Sequence, residues 1–228
     1  MMHEFLQDEQ RPKLRVVISG QKRFAEDVLR LCIRHGHEVV AVCCPPDDRA
    51  VGDLATRWGI PRIPAGSLNA DTMPDGVDLG IAAHSFDYVG KRTRYRARLG
   101  WLGYHPSLLP LHRGKSAVVW TLKMRDPICG GTWYWLNSGV DRGDIAAQEW
   151  AWVDPALWQR PFVAARSLWS DTLAPMGERM LGDLLPLVAA GQRPATPQDE
   201  RFATFEPSCG VADLYRPDLL MLPANNKD

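Results

Sequence analysis

After a polar leader, the chain alternates between strand-like and helix-like segments in a way that leaves few folds open. Residues 14–19 read Leu-Arg-Val-Val-Ile-Ser, a β-branched run closed by Gly20, which is the pattern of a buried strand entering a turn. Residues 24–35 then place apolar side chains at Phe24, Val28, Leu29, Leu31 and Cys32, close to helical spacing. Residues 37–44 return to a strand. Strand, helix, strand in this order is the unit of a parallel sheet, because the crossover must carry the chain back to its starting end. The expected fold is α/β: a Rossmann-like, mostly parallel sheet flanked by helices.

The remaining segments extend that sheet. Residues 49–58 can form a helix, and Ile60-Pro61-Arg62-Ile63-Pro64 is a short extended piece that belongs at a sheet edge, where proline is tolerated. Residues 78–83 are a buried strand, residues 91–98 a basic helix, and residues 101–105 the central strand. A helix over residues 116–124 follows. Residues 131–136 and 145–153 alternate as two antiparallel strands, with Trp133, Trp135, Trp150 and Trp152 filling the two faces of the hairpin. Residues 155–190 are helical, with breaks near Pro161 and Pro175 and a packing stripe of Leu181, Leu184, Leu185 and Val188.

Composition narrows the class. At 228 residues one domain suffices, read as a leader over residues 1–13, a folded domain over 14–205 and a tail over 206–228. Lys plus Arg and Asp plus Glu number 27 each, so no basic field would gather a nucleic acid. The five cysteines lack zinc-type pairing, no metal site is expected, and the adjacent Cys43 and Cys44 point to opposite faces of a strand. No apolar run reaches membrane length and the leader lacks the apolar core of a signal peptide, so a soluble cytoplasmic protein is expected, for which a homodimer is allowed. The first strand's turn also lacks Gly-x-Gly-x-x-Gly, which argues against a nicotinamide cofactor.

Chemistry concentrates between residues 103 and 144. The segment Gly-Tyr-His-Pro-Ser-Leu-Leu-Pro-Leu-His-Arg-Gly fixes His105 by the proline that follows it and makes a rigid loop rather than plain core. Later, Gly139-Val140-Asp141-Arg142-Gly143 can aim a carboxylate inward without bulky flanks. A carboxylate beside an imidazole favours its charged form, which can donate a proton or steady an oxyanion. His105 and Asp141 are therefore read as the acid/base pair. Arg113 and Lys115, at the start of the helix that follows, could meet an anionic substrate group. His35, His37, His84 and His112 are read as structural, His84 being the strongest of the four for function because it sits at a strand exit.

This stretch resembles the folate-dependent formyltransferases, whose hallmark is Asn-x-His-Pro-Ser-Leu-Leu-Pro followed by an Asp-x-Gly loop. His105 and Asp141 match, while Gly103 stands at the family's Asn position. The resemblance implies a formyl group moved from 10-formyltetrahydrofolate to a primary amine of a small molecule, such as an amino sugar or an amino acid. It also implies that the missing Asn amide leaves a space beside Tyr104 for a water, a backbone amide or a substrate group. By the same resemblance Phe86, Asp87, Tyr88 and Val89, together with Gly139 and Val140, would surround the pterin ring, and the basic 91–98 segment could meet the glutamate tail of the folate. Two other outcomes remain open: a 10-formyltetrahydrofolate hydrolase, and a folate-binding protein with weakened or lost catalysis.

Overall fold

A computed structural model of the chain describes residues 12–85 and 87–209. Seven strands form one sheet in the order β3-β2-β1-β4-β5-β6-β7. These are β1 (Arg15–Gly20), β2 (Glu38–Cys44), β3 (Arg62–Pro64), β4 (Leu79–Ala83), β5 (Trp101–His105), β6 (Ile128–Trp135) and β7 (Ile145–Trp152). The pairs from β3 through β5 are parallel, and the β5–β6 and β6–β7 pairs are antiparallel. The expected parallel sheet with an appended hairpin is the architecture found, with the Pro-bounded β3 at the edge.

The two faces of the sheet are covered differently. On one, α1 (Lys22–Arg34), α2 (Val51–Arg57), α5 (Pro161–Leu168) and α6 (Ala174–Ala189) enclose the larger core, to which Leu181, Leu184, Leu185 and Val188 all contribute. On the other, Val17, Ala41, Cys43, Val77, Val89 and Trp101 form a smaller cluster under irregular chain. Cys44 lies in the first cluster and Cys43 in the second, as strand alternation requires. All five cysteines are free thiols.

The period of two along β5 determines which side chains can reach the site. Leu102 and Tyr104 enter the larger core; Trp101, Gly103 and His105 take the opposite face. Trp101 lies over Gly80 of the neighbouring strand, where any Cβ would fall 2.0 Å from its ring. Tyr104 packs among Phe24, Trp133 and Trp169 and donates its hydroxyl to the Leu173 carbonyl. That carbonyl belongs to a π-helical stretch, Trp169–Leu173, between α5 and α6. Helices α5, with Pro161 at its start, and α6, with Pro175 in its first turn, thus begin at the expected breaks.

Two expectations change. The basic helix is a single turn, α3 (Lys91–Arg94), after which Arg96 and Arg98 pair with Asp75 and Asp78. Trp150 and Trp152 do not fill a core: β7 is the sheet's last strand, and their face leaves them 55% and 73% exposed, edge-on to each other, whereas Trp133 and Trp135 are buried. Among the described residues no helix is long and apolar enough to cross a membrane, and no group of three or more His, Cys, Asp or Glu is placed to hold a metal ion. Leader residues before 12 and tail residues after 209 lie outside the described residues.

Candidate active site

His105 ends β5 and is 6% exposed. Its Nε2 lies 2.7 Å from the carbonyl oxygen of His112. A carbonyl only accepts, so Nε2 carries the hydrogen and Nδ1 is the ring atom left for chemistry. Nδ1 faces Asp141 Oδ2 at 3.6 Å. The two sequence-predicted partners are thus brought together, at a distance longer than a direct hydrogen bond and of a kind that tightens in a reacting complex.

Asp141 is held from several directions. Its backbone is left-handed, φ 52°, a conformation that aspartate tolerates better than most residues. Oδ2 accepts from the Gly114 amide at 2.8 Å and Oδ1 from the Tyr134 hydroxyl at 2.7 Å. Gln198 donates to the carbonyls of both Asp141 and Gly143, tying the loop to the C-terminal segment. Burial, and then the Asp141 carboxylate beside it, push the Tyr134 phenol well above its ordinary value, so the hydroxyl stays a donor.

The loop between His105 and Arg113 is equally constrained. The Leu109–Pro110 bond is cis. The Ser107 hydroxyl donates to the Leu111 carbonyl, and the Thr132 hydroxyl donates to the Ser107 carbonyl. Gln148, reaching across from β7, donates to both the Leu109 carbonyl and Thr132 Oγ1. Thr132 lies opposite His105 in the β5–β6 register, so the hairpin that carries Asp141 also carries the brace for the histidine loop.

Gly103 is directly opposite Tyr134 in the same register. A Cβ built on Gly103 would lie 2.7 Å from Leu136 Cδ2 and 3.1 Å from two atoms of the Tyr134 ring. The space expected for a water or a substrate group is therefore filled by the protein's own side chains. Glycine here lets Tyr134 lie against β5 and reach Asp141 with its hydroxyl.

Other candidate residues are placed as follows. Arg113 differs from expectation: it is 4% exposed and its guanidinium is taken up by Glu200 and Gln198, so it braces the site instead of presenting a cation to an anion. This guanidinium, with Arg142 helping, holds the Glu200 carboxyl down at about 2. Lys115 is exposed, ahead of the short helix α4 (Ala117–Lys123). In the loop expected to meet a pterin, Phe86 lies outside the described residues. Asp87 accepts from the Gly66 amide and the Cys43 thiol; Val89 is buried in the smaller cluster, its carbonyl bonded to Arg94. Tyr88 is exposed, as is Val140 beside Gly139. A cavity of about 420 Å³ lies against the Asp141 loop, lined by Gly139, Val140, Arg142, Ala203, Thr204 and Phe205 with Arg113.

Sequence reasoning missed Tyr134, Thr132 and Gln198, and read His112 as structural alone. The first two could have been found from strand parity, because Gly103 and His105 select the opposing residues of β6 that share their face. No local signal marks His112 or Gln198, whose partners lie far away in sequence.

Comparison with known proteins shows the family. A family model described as formyl transferase matches residues 12–158. Mitochondrial 10-formyltetrahydrofolate dehydrogenase from Mus musculus is 31% identical over 208 residues, which are 85% of this chain and 22% of that protein. The chain thus spans less than a quarter of the length of the dehydrogenase relatives it matches. Methionyl-tRNA formyltransferase from Chloroflexus aurantiacus is 28% identical over 84% of this chain and 64% of its own length. The fold is shared with a 4-N formyltransferase from Francisella tularensis, TM-score 0.68 at 16% identity, covering 85% of this chain and 76% of that one. With the histidine and aspartate loops juxtaposed on this fold, the chain belongs to the formyl transferase family.

Proposed function

We propose that this chain transfers the formyl group of 10-formyltetrahydrofolate to a primary amine of a small-molecule acceptor. The observation that carries the reading is the fixed orientation of His105, with Nε2 spent on the His112 carbonyl and Nδ1 turned to Asp141. The acceptor nitrogen attacks the formyl carbon and the carbonyl π pair moves to oxygen; collapse then breaks the bond from carbon to N10. The attacking nitrogen loses one proton and N10 gains one. His105 Nδ1 is the group placed to steady the oxyanion and relay that proton, and Asp141 keeps the ring turned toward it. Exclusion of water and alignment of the two substrates supply much of the remaining rate.

The folate reading rests on exposed apolar surface where a flat ring needs it: Tyr88 and Val140, with the backbone at Gly139. Asp87 and Val89 shape that loop from below through their bonds to Gly66, Cys43 and Arg94. For the acceptor we favour the cavity beside Asp141, whose Val140, Ala203 and Phe205 wall and Arg142 rim suit an amine carried on a ring or sugar body. Tetrahydrofolate release that requires an added amine is the test; release indifferent to every amine offered contradicts it.

Hydrolysis is the second reading, favoured by the identity to 10-formyltetrahydrofolate dehydrogenases. Water would then take the place of the amine. Formate released at an amine-independent rate distinguishes it.

A further inference from the structure

The loop that orients His105 contains a second buried histidine, with a carboxylate beside each ring nitrogen. His112 is 5% exposed and has a left-handed backbone, φ 56°. Its Nε2 lies 2.6 Å from Asp126 Oδ2, in the turn between α4 and β6, and its Nδ1 lies 3.2 Å from Glu206 Oε1, in the C-terminal segment. Its amide donates to Thr204 Oγ1, and its carbonyl receives His105 Nε2–H.

Glu206 gives this cluster its logic. Its carboxylate is 2% exposed, neither of its oxygens has a hydrogen-bond partner among the described residues, and its ion-pair partner is the His112 ring. Burying an anion without a cation costs several kcal/mol by general estimate, so two carboxylates on one imidazole call for its protonated form.

We propose that His112 is a positioning residue for the formyl transfer argued above: clamped as a cation between Asp126 and Glu206, it holds its own carbonyl against His105 Nε2 and so dictates which nitrogen of His105 handles the proton. The clamp joins four separate parts of the chain, namely the end of β5, the turn before β6, the 106–112 loop and the segment carrying Thr204 and Glu206. Burial alone would push the His112 imidazole down; Asp126 and then Glu206 outweigh it and raise it to about 9. The groups facing the clamp are Asp126, Glu206, the His105 ring and Thr204, with the Cys209 thiol near Glu206 and itself raised by burial. Because the folded value is raised, the clamp is intact at neutral pH and is lost as pH rises through about 9.

The test is nitrogen NMR of the whole protein labelled at its histidines, followed from about pH 6 to about pH 10, with His105→Gln assigning the His105 signals. In the wild type the hydrogen-bonded Nε2–H signal of His105 should disappear together with the titration of His112, and the alkaline limb of turnover should follow. Asp126→Asn, which does not touch His105, should move both down by about one pH unit or more, and Glu206→Gln should do the same if Asp126→Asn does not fold. A His105 signal that survives the titration of His112 in the wild type, or that is unmoved in a folded variant, overturns the proposal. The NMR arm needs no substrate, so a protein that shows the coupled titration without amine-dependent turnover would refute the functional reading and leave the clamp standing.

Discussion

Two buried histidines seven residues apart face carboxylates in opposite ways. His105 meets Asp141 across 3.6 Å, and that carboxylate is already satisfied by Tyr134 and Gly114. His112 has a carboxylate on each ring nitrogen, at 2.6 and 3.2 Å. A ring held between two carboxylates is poorly placed to exchange its protons during a reaction, whereas one with a single loosely paired nitrogen can. In the mechanism proposed above the looser pair does the chemistry and the tighter one supports it.

Removing each histidine should separate the two roles. His105→Ala is expected to lower formyl transfer by about a hundredfold to ten-thousandfold while 5-formyltetrahydrofolate still binds, as calorimetry would show; a variant with near-normal turnover would place the chemistry elsewhere. His112, as a positioning residue, should show itself in stability as well as in the alkaline limb of turnover. Its imidazole is raised from 6.5 to about 9, so its contribution is fully present below pH 6.5 and lost as pH rises through about 9. The expected loss is roughly 3 kcal/mol. Denaturant unfolding at neutral and alkaline pH, in the wild type and in His112→Asn, checks it: the variant should lack the decline, and equal declines would remove His112 as the cause.

A smaller effect is expected at Gly103, which tests whether the site has lost a donor or been rebuilt without one. Gly103→Asn must displace Leu136 and crowd Tyr134. It should cost about 1–3 kcal/mol of stability and bring no gain in turnover, because the shifted Tyr134 carries the hydroxyl that orients Asp141. A gain of about tenfold or more, in the range a restored oxyanion donor can supply, would show a weakened relic and favour the binding-protein alternative.

Much of this molecule was legible in one dimension because its determinants are local. The presence of β1, the edge position of β3 and the opposed faces of Cys43 and Cys44 follow from a short β-branched run, proline and a period of two. His105 and Asp141 stood out because loop chemistry surrounds them. What escaped depends on distant partners. Arg113 looked like an available cation until Gln198 and Glu200, 85 and 87 residues later, closed over it. His112 looked ordinary for the same reason, since Glu206 and Thr204 arrive only at the end of the domain. Trp150 and Trp152 read as filling a face of the hairpin, and aromatic alternation does not say that this face, on the last strand of the sheet, is left exposed.

The pairing of His105 with Asp141 on a folate formyl group is tested most directly by one rate, tetrahydrofolate release from 10-formyltetrahydrofolate over a panel of amines, in the wild type and in Asp141→Asn. That substitution keeps an oxygen to accept from the Gly114 amide, places its NH2 against the Tyr134 oxygen, which can accept as well as donate, and removes the charge facing Nδ1. The account predicts an amine-dependent rate in the wild type and a fall of about a hundredfold in the variant, with folded stability nearly unchanged. Equal rates in the two proteins, across the panel and across pH, would contradict it.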